Sequence, residues 1–425
     1  MTRKIYYEDP YLREFPATVL SCDPAGEAWK VVLDQTAFYP EGGGQPADHG
    51  VLRAAGREIP VTDVHERDGR IFHTCAAPVE AGTLIAGSLD WERRFDHMQQ
   101  HSGEHIISGI LCRLYRCENV GFHLGAETVT IDYNAEISWE QALEAERLAN
   151  EAVWADREAE ISYPSPPELA ALEYRSKKEL AGQVRIVEFP GADRCACCGT
   201  HVSSAGQVGL VKVLSCQKFR EGVRMEILCG GRALKYFGGI YHQARAVGRR
   251  LSVKPLETLT AVERLEAELA AARERIADLE QTAFAAIAAE RAGQGDTLLF
   301  QSPMRPDSLR RLADAVGKSC GGLAAVFSGE GETWSYALVR ADGADISPLV
   351  KELNRALRGR GGGRNGFAQG SVSAARQEIQ EFFRAIPRNN EKKGSEEQEL
   401  QGKAEDAGGL TPAKDGNAAM RFLDR

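Results

Sequence analysis

Hydrophobic and polar positions change rhythm several times along the chain. Up to about residue 90 they alternate in short runs. "TVLSCD", "WKVVLDQ" and "IPVTDVHERDGRIFHTC" are rich in β-branched residues, and "DPAG" and "ERDG" stand among them as turns. This predicts a small all-β unit. Within it, "EGGGQPADHG" at 41–50 reads, on glycine content alone, as a flexible turn. From about 91 the period lengthens. In "DHMQQHSGEHIISGILCRLY", Ile106, Ile110, Leu111 and Leu114 recur at helical spacing. "GFHLGAETVTIDYN" alternates as a strand with a turn. "SWEQALEAERLANEAVWADREAEISY" predicts a helix opened by Ser138, with Gln141 three residues on completing a capping box. "VRIVEFPG" reads as a strand leading straight into "ADRCACCGTHV". "GQVGLVKVLSCQKFREGVRMEILCG" predicts two more strands with "REG" at the turn. Residues 91 to about 245 thus form an α+β domain.

A third rhythm occupies 256–292. Val262, Leu265, Leu269, Ala272, Ile276, Leu279 and Ala283 alternate spacings of three and four, a heptad seam with charged flanks. It suits a coiled-coil arm, a helical hairpin or a dimer interface. From about 295 to 386, helices ("SLRRLADAVGKS", "DISPLVKELNRALRG") and strands ("GLAAVFSG", "WSYALVRA") predict a smaller α/β domain. It ends in "RGGGRNGFAQGSV", read as a glycine-rich loop. Arg355, Arg358, Arg360 and Arg364 crowd around it. Such a loop lets backbone amides approach phosphates, and the arginines neutralise them. The polar remainder, 387–425, predicts disorder.

Composition narrows the class. A chain of 425 residues exceeds one ordinary core, so two or three domains are expected. With 43% hydrophobic and 27% charged residues it reads as a soluble globular protein. It has no apolar run of bilayer length and no signal-peptide core, which leaves the cytoplasm as the expected compartment and no membrane partner. Ten cysteines spread over this length make no disulfide scaffold, and clustered ones point to metal or catalysis. A net charge of −9 argues against a wholly basic nucleic-acid binder and leaves local basic patches open.

The chemistry concentrates in two places. "HMQQHSGEHI" carries His97, His101 and His105, each four residues from the next and so on nearly one face of a helix. "CACCGTHV" carries Cys197 and His201, again four apart, with Cys195 and Cys198 as neighbouring thiols. Imidazoles and thiolates are the donors zinc prefers, in a tetrahedron of four or of three plus water. Two donors from a helix and two from a loop make one such site. The competing reading is a local zinc knuckle or buried thiols.

These motifs resemble a known set. "HSGEH" with "CCGTHV" resembles the HxxxH and CxxxH pairs of the alanyl-tRNA synthetase editing domain. "LDQTAFYPEGGGQPADHG" resembles the glycine-rich stretch preceding that domain, and "VGFHLGAETVTIDY" the segment after the first histidine pair. "RGGGRNGFAQGSV" looks like the signature of the DHH-associated domain that ends those synthetases. Without a long upstream aminoacylation domain, the set resembles the AlaX editing proteins in their long form. The resemblance implies a multidomain α+β protein. A small β-barrel with the glycine-rich motif would occupy 1–90, and an α+β zinc-containing deacylase domain 91–250. Coiled-coil helices would follow over 254–292 and a small α/β domain of DHH-associated type over 295–386. It implies hydrolysis of the ester of mischarged Ser-tRNA(Ala) and Gly-tRNA(Ala), with one Zn2+ per chain on His101, His105, Cys197 and His201. Cys198 stands where the family has glycine, and His97 becomes a neighbour one turn away. His123 is the candidate polar group beside the ester. Glu104 lies off the ligand face by helix geometry. Thr36 is the residue whose hydroxyl would read serine, with Gln45 second to it, and Arg360 and Arg364 would contact tRNA. The heptad segment would hold the last domain apart or form a homodimer. Two alternatives stay open: editing of Ser-tRNA(Thr), and a zinc-stabilised tRNA-binding protein without catalysis.

Overall fold

The structure is a computed structural model and describes residues 1–176 and 182–386. The tail expected to be disordered, 387–425, lies outside the described residues. Two compact units divide the chain, Met1–Thr258 and Leu259–Arg425. Among the described residues no helix is long and apolar enough to cross a membrane.

Six antiparallel strands of the first unit close into a barrel. They are β1 (Glu14–Ala25), β2 (Ala28–Leu33), β3 (Gly50–Ala54), β4 (Arg57–Arg67), β5 (Arg70–Cys75) and β6 (Leu84–Leu89), in the order β1-β2-β5-β4-β3-β6. Alternation sends Phe15, Ala17 and Val19 of β1 and Ile85 and Leu89 of β6 into one core. Asp68 and Gly69, both at positive φ, turn β4 tightly into β5.

Helix α1 (Trp91–Tyr115) starts directly after β6, capped by the Asp90 carboxylate on the Arg93 N–H. Its middle turns are buried all round rather than along a stripe. Leu114, expected on the apolar face, is exposed. Arg94 ties this helix to the barrel. Its guanidinium is fully buried, pairs with Asp48, and donates to the carbonyls of Ala37 (2.6 Å) and Pro10 (2.9 Å). The barrel and the α+β region therefore share one compact unit.

Against α1 pack β7 (Asn119–Leu124), β8 (Val129–Tyr133) and α2 (Trp139–Trp154), whose Ser138–Gln141 capping box forms in both directions. Next come β9 (Glu160–Ser162), β10 (Ile186–Phe189), β11 (Asp193–Ala196), β12 (Val211–Phe219) and β13 (Gly222–Cys229). They make a four-stranded sheet, β12-β13-β8-β7, and a three-stranded one, β9-β10-β11. The segment after "VRIVEF" does not run straight on. Gly191 at positive φ doubles it back, so 193–196 pairs with β10. Helix α3 (Gly230–Leu251) closes this part.

Helix α4 (Thr258–Glu290) is continuous, and Val262, Leu265, Leu269, Ile276 and Leu279 of its heptad seam are exposed. The last domain is a five-stranded sheet with helices. It comprises β14 (Gly295–Gln301), α5 (Pro306–Cys320), β15 (Gly321–Glu330), β16 (Thr333–Arg340), α6 (Ser347–Ala356), β17 (Arg360–Arg364), β18 (Phe367–Ser373) and α7 (Arg376–Ala385), with strand order β14-β15-β16-β18-β17. "RGGGRNGFAQGSV" is therefore a hairpin and not a loop. Asn365, at positive φ, makes the turn, and the glycines admit Tyr336, whose hydroxyl lies where a Cβ at Gly361 would stand.

Candidate metal centre

Helix α1 and the chain leaving β11 bring four donors together. One nitrogen each of His101, His105 and His201 and the Cys197 sulfur lie within 4.8 Å of one another, and all three histidines are buried. His101 Nε2 stands 3.5 Å from Cys197 Sγ. Two ligands of one tetrahedral zinc, at about 2.0 and 2.3 Å from it, are separated by about that distance.

Each imidazole is oriented through its other nitrogen. His101 Nδ1 donates to Gln45 Oε1 at 2.9 Å, His105 Nδ1 lies 3.0 Å from Asp193 Oδ2, and His201 Nδ1 faces Ser102 Oγ at 3.3 Å. These contacts turn the three Nε2 atoms inward, and His201 Nε2 has no hydrogen-bond partner among the described residues. Burying an imidazole nitrogen without a partner is costly. A metal ion would satisfy all three at once, and the outer contacts are the kind that fix metal-bound histidines.

The charges agree. Burial opposes ionisation of Cys197, yet His101 and His105 hold it well below its usual value, as a thiolate. Burial likewise opposes the His105 cation, while Cys197 and Asp193 raise it to about 9. Asp193 itself stays low despite burial because His105 and Arg175 pair with it, Arg175 through bonds of 2.7 and 2.8 Å. Burial, then its two histidine neighbours, push His201 down to about 3. The thiolate and carboxylate thus draw a cation into the cluster, and an entering metal ion would displace the His105 proton.

Close backbone approach closes the pocket. A Cβ on Gly199 would collide with the His101 ring, and one on Gly44 with Phe122. Phe122 stacks on His101 at 5.0 Å. The glycine-rich loop is accordingly a wedge, not a flexible turn. It delivers Gln45, fully buried, between His101 and Thr200, to whose Oγ1 it donates at 2.8 Å.

Other expected residues lie elsewhere. Alternation along β7 gives Phe122 to the cluster side and sends His123, opposite Thr130, to the other face, where it is exposed. That removes the geometric ground for placing His123 beside the ester. Thr36 is buried in the barrel, donating to His73 Nε2 at 2.8 Å and accepting from Phe38 N–H at 3.1 Å. Its hydroxyl is engaged there rather than offered to a seryl group. Gln45 likewise has its amide engaged by His101 and Thr200. Glu104 is buried and accepts from Asn119 (2.5 Å) and Ser108 (2.8 Å). Cys195 sits on the Asp193 side of His105, and Cys198 is an exposed free thiol within hydrogen-bond reach of the Tyr7 hydroxyl. His97 is buried outside the cluster. Arg360 and Arg364 are exposed on the edge strand β17, and Arg358 is paired with Glu378.

Sequence reasoning missed Asp193, Ser102, Arg175 and Phe122. For Asp193 a signal existed. Asp193, Cys195 and Cys197 are alternate residues, so reading 193–197 as extended puts acid and thiols on one face.

Comparison with known proteins gives one picture. The model of tRNA synthetases class II (A) matches residues 15–93, that of the threonyl and alanyl tRNA synthetase second additional domain 184–224, and that of the DHHA1 domain 295–389. Alanyl-tRNA editing protein AlaX-L of Pyrococcus horikoshii is 32% identical over 398 residues, 89% of this chain and 96% of that protein. The alanine–tRNA ligase of Pyrococcus abyssi is 32% identical over 91% of this chain, and that of Pyrobaculum neutrophilum 33% over 90%; in each case 44% of the ligase is covered. The chain spans less than half the length of these ligases.

Proposed function

The chain belongs to the family of alanyl-tRNA editing proteins represented by AlaX-L, and on that footing we propose that it clears tRNA(Ala) of wrongly attached serine and glycine. It is an aminoacyl-tRNA deacylase, a carboxylic ester hydrolase. The observation that carries the reading is the set of three inward imidazole nitrogens with one thiolate sulfur, each ring held from behind by a protein partner.

His101, His105, Cys197 and His201 would hold one zinc ion. When bound, zinc supplies a fixed positive charge that acidifies a water or polarises and orients the ester. The chain's own residues do the rest. Gln45, Asp193 and Ser102 fix the rings, and Phe122 covers one face of His101 against solvent. In the reaction, water oxygen bonds to the ester carbonyl carbon and the bond to the ribose oxygen breaks. The amino acid leaves as its carboxylic acid, and the ribose oxygen takes up a proton.

Serine and glycine differ from alanine by a hydroxyl or a methyl, differences that a synthetic site discriminates by only a few kcal/mol, so a second hydrolytic site has a clear purpose. The second additional domain is common to threonyl and alanyl synthetases. The DHHA1 domain and the alanine-specific relatives favour tRNA(Ala) over tRNA(Thr). On the same reading Arg360 and Arg364 touch the tRNA body, and the exposed seam of α4 pairs two chains. The test is deacylation by purified protein of tRNA(Ala) carrying serine, glycine or alanine, and of Ser-tRNA(Thr). Release from Ser-tRNA(Ala) at least tenfold faster than from Ala-tRNA(Ala) is expected. Tight binding without release would make the protein a tRNA binder, and preference for Ser-tRNA(Thr) would move it to the threonine side.

A further inference from the structure

A cleft of about 880 Å3 opens in the first unit between the start of α1, the turn joining β7 to β8, and α3. Its size falls within the roughly 300–1,000 Å3 range of ligand clefts. None of the four candidate metal donors lines it, yet three separate segments lead from it to the cluster. Pro46 follows Gln45, which bonds His101. Leu124 lies two residues beyond Phe122, which stacks on His101. His97 lies four residues before His101, about 6 Å along the helix.

One wall is a single face of α3. Arg232, Lys235, Tyr236, Gly239, Ile240 and Gln243 recur at spacings of three and four. Helix α3 carries five cationic residues and no carboxylate over its 22 positions, in a chain whose net charge is −9. Tyr236 and Ile240 on that face are 45% and 46% exposed, which a soluble surface does not require. Gly239 adds no side chain, and the space above it is open. The floor is polar. His97 is 2% exposed, and its Nδ1 has no hydrogen-bond partner among the described residues. Arg232 is held by Asp96 and the Gly125 carbonyl, so Glu92, Glu127, Arg93 and Lys235 leave the cleft charges of both signs.

Mixed charges with an aromatic face suit a nucleoside, which offers a π-surface, ring donors and acceptors, and ribose hydroxyls. The cations farther along α3, Arg245, Arg249 and Arg250, suit the phosphates that follow it. We propose that this cleft receives the unpaired 3′ end of the tRNA, stacking its base on Tyr236 and presenting an acceptor group to His97, with α3 as the phosphate track. The proposal rests on the deacylase reading for its substrate. It adds where the polynucleotide end lies and which residues hold it there.

The experiment measures, by fluorescence anisotropy, binding of a short RNA ending in CCA to full-length protein, and deacylation of Ser-tRNA(Ala) separately. Gly239→Phe fills the cleft from a helical position with open space, and removing a helix glycine favours folding. The double variant Lys235→Glu with Tyr236→Ala alters exposed side chains. At least tenfold weaker RNA binding by both variants, with unchanged or higher melting temperature, is expected. For deacylation, KM rises while kcat changes little. Wild-type affinity in both variants, or no saturable binding by the wild type, overturns the cleft assignment. Cleft-dependent RNA binding by a wild-type protein that releases no amino acid would instead overturn the deacylase reading and leave the cleft standing.

Discussion

His73 in the barrel and the three histidines of the cluster are all buried imidazoles, and their second ring nitrogens meet opposite surroundings. His73 donates from Nδ1 to the Val31 carbonyl at 3.0 Å and accepts the Thr36 hydroxyl on Nε2. Both nitrogens are matched, and burial holds it neutral, down to about 4. His101, His105 and His201 each have one nitrogen tied to a neighbour and the other turned to a common point beside a thiolate. Burial alone therefore does not mark a metal site. The mark is a set of nitrogens that the protein orients onto one point beside a thiolate sulfur. A barrel core can afford a histidine only when its hydrogen bonds close within the fold.

The largest effect expected from this contrast is at the donors themselves. Cys197→Ala or His105→Ala should remove bound zinc and lower deacylation by at least a hundredfold, read by metal analysis and initial rates. Full zinc content with full activity in either variant would erase the difference between the two regions. Next is the tether. Gln45→Ala frees the His101 ring without deleting a donor, so zinc affinity should fall about 10–100-fold. Chelator competition measures this, and excess zinc should restore most of the activity. An unchanged affinity would mean that the Gln45 contact does not orient the ring.

In the barrel the effect should be on stability. Thr36→Val leaves His73 Nε2 and the Phe38 N–H without their partner, at a cost of about 1–3 kcal/mol. Thermal unfolding should show this while serine–alanine selectivity stays put; narrowed selectivity at unchanged stability would return Thr36 to the substrate. The same region sets a pH dependence. The unfolded chain protonates His73 below its ordinary value near 6.5, whereas the folded barrel does so only near 4. The unfolded state thus binds the extra proton in that window. Stability falls as pH drops from 6.5 towards 4, by about 1.4 kcal/mol per unit from this residue. His73→Gln should flatten the slope. The smallest effect belongs to His123. Exposed on the face of β7 away from Phe122, it should tolerate alanine with less than about a threefold change in kcat/KM; a hundredfold loss would put it at the ester after all.

Much of this was legible because spacing survives folding. His101 and His105 four apart on a helix, and Cys197 and His201 four apart after a strand, are the donors that converge. Alternation gave four of the six barrel strands, β1, β2, β4 and β5, and Ser138 with Gln141 gave the start of α2. Contacts between distant segments were legible only where both sides carry metal-type donors at a telling spacing. The roles of Gln45 and Asp193 depend on a loop of the barrel and a hairpin at Gly191 meeting one helix, and no local pattern encodes that meeting. The glycine runs misled for a related reason. Glycine permits close approach as readily as flexibility, and only the neighbour, Phe122 for Gly44 or Tyr336 for Gly361, decides which. Phe122 and His123 are neighbours on one strand, where a one-residue step reverses the face, so the sequence alone does not say which of them meets the cluster.

Whether three imidazole nitrogens and one thiolate hold a single metal ion is read from zinc-edge X-ray absorption on the purified full-length protein, together with its zinc content. One zinc per chain is expected, bound by one sulfur at about 2.3 Å and three nitrogens at about 2.0–2.1 Å. A shell with two sulfurs would bring Cys195 or Cys198 into the site. That result, or a fully active protein without zinc, would rule out the four-donor centre.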